Sequence, residues 1–226
     1  MTNASSSASL FRLMQLVSPA LPVGGFAYSQ GLESAVELGV VNTQPHAHEW
    51  IEGVLTHNVA RIDLPIAALA HRACVAEDID RIERINVHAL ALRETRELHA
   101  ESQQMARSLL RLLSDMGEVI PPTLDPFATD WAVAFAVAST RWNVNESDCL
   151  QGLVWTWLEN QVAAAIKLVP LGQTQGQIML FEISAELDEL IQTARQMTLK
   201  DTGASTPMLA HMSALHETQY SRLFRS

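Results

Sequence analysis

The residues best equipped for chemistry in this chain of 226 are eight histidines and two cysteines. His46 and His48 stand two apart, so a helix would point them in different directions and shared ligation would need a loop. His71 and Cys74 are three apart and can face the same way, yet two donors make only half of a tetrahedral site. His211 and His216 are the weak metal candidates, and His216-Glu217-Thr218-Gln219-Tyr220 lacks the second histidine of a zincin motif. No cluster reaches three ligands, so no permanent metal site is expected. Cys74 and Cys149 have no CxxC pairing and no local catalytic signature. The stretch from Gly172 to Gln177 lacks the spacing of a phosphate loop, and no GxSxG elbow occurs. No catalytic machinery is visible.

Three other segments concentrate unusual residues. Ser18-Pro19-Ala20-Leu21-Pro22-Val23-Gly24-Gly25-Phe26 fixes an irregular backbone, serving either as a rigid kink or as a partner surface. Lys167 is one of two lysines and lies among Ala165, Ile166, Leu168 and Val169 near a helix end, where its charge complements the helix dipole. The end of the chain, from His216 to Ser226, gathers Tyr220, Arg222, Leu223, Phe224 and Arg225. Aromatic residues and arginine are the usual anchors of protein interfaces, so this segment could order on binding a partner.

The elements that must position these residues read as helices. Counting gives 29 Ala and 29 Leu against 10 Gly and 9 Pro, a bias toward helix formers. Residues 1–9 are Ser- and Ala-rich and are expected to form a disordered arm. Helices are predicted over Leu10–Val17 and Phe26–Leu38, then from near Pro45, from Asp63 and from Asp78. No Gly or Pro falls between Asp78 and Met116, which predicts one long helix with a polar middle around Arg93, Arg96 and Glu97. The loop from Gly117 to Thr129 is followed by an apolar helix capped by Asp130 and another capped by Asn145 or Ser147. Leu150, Val154, Leu158, Val162, Ile166 and Val169 share one face of the latter. Thr174 is placed as the cap of the next helix. Leu180, Ile183, Leu187, Leu190, Ala194 and Met197 form a helical seam, and a last helix starts near Pro207. The prediction is an all-α, single-domain bundle of roughly eight to ten helices.

Composition narrows the partners. Hydrophobic residues at 48% suit a packed core, and a formal charge of −10 would repel nucleic acid and anionic membranes alike. The start of the chain has no basic region before its apolar stretch, and the run Ala132–Ala138 is far short of a membrane span. A cytoplasmic protein is expected.

Four motifs in order carry a likeness to a known family. Ser18-Pro-Ala-Leu-Pro-Val-Gly-Gly-Phe26 with Tyr28-Ser-Gln-Gly-Leu-Glu33, then Arg93-Glu-Thr-Arg-Glu-Leu98, then Lys167-Leu-Val-Pro-Leu-Gly-Gln173, and then the segment from His216 to Ser226 together resemble the urease accessory protein UreF. The resemblance runs from about Leu10 to the end, as a helical domain over 10–217 and a partner-binding tail over 218–226. It implies a homodimeric scaffold that is not itself an enzyme. Such a scaffold joins UreD (UreH in some organisms) and the GTPase UreG, and serves nickel insertion into apo-urease with no permanently bound cofactor. By that likeness Tyr220, Arg222, Leu223, Phe224 and Arg225 contact UreD, and Lys167 is the motif lysine tied to control of activation. Pro22, Gly24, Gly25, Tyr28, Arg93, Arg96 and Glu97 belong to the shared surfaces. The alternatives are a metal-dependent helical hydrolase using His71, Cys74 or the other histidines, or a stand-alone nickel carrier using His211 and His216, since imidazole suits nickel.

Overall fold

Helices that are apolar on every side have to be buried, and two alanine-rich segments meet that description. They pair at the centre of the structure: Asp63–Val75 and Trp131–Arg141 pack on each other, and every residue from Ala132 to Ser139 is buried. The computed structural model describes residues 7–226, among which the regular elements are all helices. In order they are α1 (Ser7–Leu16), α2 (Leu32–Glu37), α3 (Gln44–Val54), α4 (Asp63–Val75), α5 (Ile79–Ala91) and α6 (Arg96–Asp115). Then come α7 (Trp131–Arg141), α8 (Glu146–Leu168), α9 (Gln173–Ser184), α10 (Leu187–Gln196) and α11 (Pro207–His216). A π-helical turn over Leu55–Val59 extends α3. Residues 1–6, most of the expected arm, lie outside the described residues, and α1 takes up the rest of it.

Several starts are capped by side chains. Thr43 accepts from the His46 amide, Asp78 from Arg81, Asp130 from Ala132, and Asn145, not Ser147, from Asp148. Thr174 does not cap α9; Gly172 precedes the helix, and its N–H donates to Gln175 Oε1 at 2.8 Å. The predicted seam is split by a turn at Ala185 and Glu186 into α9 and α10. Leu180, Ile183, Leu187, Ala194 and Met197 remain buried, with Ile191 seated inside in place of Leu190.

Two further breaks were not expected, and both shape the site. The run from Asp78 to Met116 is two helices, because Arg93 leaves helical geometry and Thr95 caps α6 by accepting from Leu98. The predicted helix over Phe26–Leu38 shrinks to a 3₁₀ turn at Gly25–Ala27 and the short α2. Between them Gln30 and Gly31 turn the chain at φ 51° and 78°. A Cβ on Gly31 would meet the Ser213 backbone nitrogen at 3.0 Å, so only glycine lets this turn lie against α11. Buried side chains on both sides of the 117–129 loop belong to one apolar core, and Leu124 of the loop itself joins it.

Candidate functional site

The tail is packed onto α2 and α6 by three carboxylates. Glu33, buried on α2, accepts the backbone N–H groups of Leu223 at 2.6 Å and Phe224 at 2.8 Å. Glu97, in the first turn of α6, accepts from Arg222 at 2.9 Å. His216, fully buried at the end of α11, bridges the two, with Nδ1 at 2.8 Å from Glu97 and Nε2 at 3.1 Å from Glu33. Glu101, one turn further along α6, accepts from Ser226 Oγ at 2.7 Å and Gln30 Nε2 at 2.8 Å. Burial pushes the Glu101 carboxyl up to about 7 against the pull of those two hydrogen bonds.

The same lock closes the loop after Gly25. Ser29 donates its N–H and its hydroxyl to the Ser226 backbone oxygen at 2.6 and 2.7 Å, and Arg225 donates its N–H to the Ala27 carbonyl at 2.8 Å. Trp157 Nε1 on α8 holds Gln30 Oε1 at 2.7 Å. Gly25 is buried so closely that a Cβ there would meet Asn160 Nδ2 at 2.8 Å. The Tyr28 hydroxyl is raised by burial and by Glu101, while a hydrogen bond from Arg225 opposes the shift. A small cavity of about 50 Å³ lies beneath, lined by Tyr28, Gln30, Arg93, Glu101 and Trp157 among others.

What the lock displays differs from what it buries. Phe224 is inside, with Lys167 Nζ 5.5 Å from its ring centroid, a cation–π contact. Lys167, Pro22, Phe26, Tyr220, Leu223 and Arg225 are exposed. Leu223 keeps 64% of its surface and Tyr220 all of it, although the backbone N–H groups of Leu223, Phe224 and Arg225 are each hydrogen-bonded. The result is an apolar and basic surface on a rigid mount.

The polar helix middle divides into two parts. Arg96 is exposed and pairs with Glu217 at 3.2 Å. Arg93 is committed to the interior, donating to Asp63 at 2.7 Å and Asp130 at 2.9 Å. Burial works to lower the Arg93 pKa, but Asp130 and Asp63 hold it well above the ordinary range; burial raises Asp63. Ser102 and Asn86 complete the hydrogen bonds of Asp130. Arg93 therefore ties the starts of α4 and α7 to the α5–α6 break.

The remaining histidines and thiols are dispersed. His211 is exposed, and the two carboxylates of His216 sit on opposite ring nitrogens, where they share no point for one ion. His71 faces the Val144 carbonyl at 2.9 Å. Burial pushes the Cys74 thiol up to about 11 and Cys149 up to about 12, leaving little thiolate near neutrality. Among the described residues no group of three or more His, Cys, Asp or Glu could hold a metal ion. Sequence reasoning missed Glu33 and Glu101 as anchors, because their partners are 190 and 125 residues away and an isolated acid in a helix carries no local signal.

Comparison with known proteins matches the UreF family model to residues 41–184. The urease accessory protein UreF of Chromohalobacter salexigens is 44% identical, covering 95% of this chain and 93% of its own. That of Teredinibacter turnerae is 45% identical over 96% and 98%, and that of Alcanivorax borkumensis 40% over 98% and 100%.

Proposed function

Because the chain belongs to the UreF family of urease accessory proteins, a family of maturation factors rather than enzymes, we propose that it works as the scaffold that joins UreD and the GTPase UreG during nickel insertion into apo-urease. In this reading the protein is a cytoplasmic homodimer, and nickel is cargo of the assembly, not a resident cofactor. The observation that carries it is the anchored tail. Glu33 holds the Leu223 and Phe224 backbone while Glu97 and Glu101 hold the Arg222 and Ser226 side chains, so Leu223 and Arg225, with Tyr220 beside them, are presented without the ordering cost that a loose segment would meet on binding. Aromatic, leucine and arginine side chains on a preordered frame suit a protein partner, here UreD. Lys167 adjoins the same surface through Phe224, which supports a shared role in controlling activation.

Capture of UreD by the immobilised chain tests this. The double variant Tyr220→Ala/Leu223→Ala changes only exposed side chains and should lose at least about tenfold in affinity while melting with the parent protein. A chain ending at Glu217 should lose UreD as well. Undiminished capture by the double variant would remove the tail from the interface.

A further inference from the structure

A second surface stands apart from the tail, on α5. Arg81 and Arg84, three residues apart and both exposed, line a groove of about 290 Å³ together with Arg72 of α4 and the segment Gln196–Leu199 after α10. The apolar part of the groove is formed by Leu69, Ile85 and Met197, each at most 9% exposed. Among the described residues, no Asp or Glu lines it.

The arginines are the informative feature. In a chain of charge −10, Arg72, Arg93, Arg195 and Arg222 each reach a carboxylate at 2.7–2.9 Å. Arg81 and Arg84 have no such partner among the described residues. Their acidic neighbours do not fill that role. Glu83 precedes Arg84 by one position, about 100° around the helix; Asp80 stands four positions before Arg84 on the same face, yet the two form no ion pair, and Asp201 is held by Thr198 at 2.6 Å. Arg72 is fixed by Glu146 and by the Arg195 carbonyl, so one wall of the groove is already rigid. Arg81 also sits in the first turn of α5, where a cation gains nothing from the helix dipole.

We infer that this groove docks an acidic segment of a partner protein, its carboxylates on Arg81 and Arg84 and one apolar side chain on Leu69, Ile85 and Met197. A carboxylate and a guanidinium make paired hydrogen bonds, which gives direction as well as attraction. The volume accepts one or two side chains, not a folded surface. A bare phosphate would leave the apolar floor uncovered, and an extended polyanion would meet the net negative charge of the rest of the molecule.

A fluorescein-labelled peptide Glu-Glu-Leu-Glu-Glu-Leu, titrated with the full-length protein and read by anisotropy, tests the assignment. It should bind, weaken as sodium chloride rises from ~50 to ~300 mM, and lose at least about tenfold in affinity with Arg81→Glu/Arg84→Glu. The charge-matched control Arg107→Glu/Arg111→Glu, on α6, should bind like the parent. The counterpart peptide with Lys in place of Glu should not bind. Equal losses in the two double variants would reduce the effect to overall charge and overturn the site. So would the absence of peptide binding, or displacement of the peptide by inorganic phosphate at concentrations too low to act as general salt. Melting curves that coincide for parent and variants exclude misfolding as the cause of a loss.

Discussion

Three carboxylates, an imidazole and an aromatic ring decide how the tail lies, and two of them, Glu101 and Phe224, make separable predictions. Glu101 holds its proton more tightly in the folded protein, at about 7 against an unfolded value of 4.5. A raised carboxylate binds the extra proton in the native state, so its contribution is greatest below about pH 4.5 and is lost as pH rises to about 7, a change of about 3 kcal/mol. Glu101→Gln should therefore flatten the fall in stability between those values, measured by urea unfolding at several pH values. Phe224→Ala should cost about 3 kcal/mol because the ring is buried, whereas Leu223→Ala should cost under about 0.5 kcal/mol. Lys167→Ala should leave the fold intact, losing a contact worth about 0.5 kcal/mol at an exposed site, and should alter urease activation in a coexpression assay.

At the scale of elements, the α5–α6 break is held by charge rather than by a glycine or proline. Removing Arg93 as Arg93→Met would leave Asp63 and Asp130 facing each other in the interior and should destabilise the protein by about 3–5 kcal/mol in thermal or denaturant unfolding. Gly31→Ala should also cost more than an ordinary surface change, about 2 kcal/mol, because the left-handed turn and the Ser213 backbone both oppose a side chain. These two positions mark where the sequence was hard to read. Periodicity and capping residues located α3, α4, α7 and α8, since those signals act within a few residues. Arg93 and Gly31 answer to partners 30 or more residues away, and a helical pattern running through them gives no sign of it. The tail shows the same division. Its interface-prone composition was legible, but the burial of Phe224 beneath the exposed Leu223 depends on Glu33.

Across the whole molecule, stability should be graded from the centre outward. The α4–α7 pair is buried along most of its length, so its amides there should be the last to exchange in native-state hydrogen exchange. Within the tail the amides of Leu223, Phe224 and Arg225 should be protected more strongly than that of Tyr220, since each has a bonded acceptor. Uniform exchange across 218–226 would show that the lock does not hold in solution. Among the described residues no helix is long and apolar enough to cross a membrane.

The bond between Ser29 and Ser226 spans 197 positions of the chain, which gives the protein a timetable. During translation, Glu33 must wait for the peptide groups of Leu223 and Phe224, which are made 190 and 191 residues later. Through that interval the flank of α2 and α6 stays open, and a nascent chain cannot yet offer the mounted surface that its finished form carries. The docking face is thus finished only once residue 226 has been made.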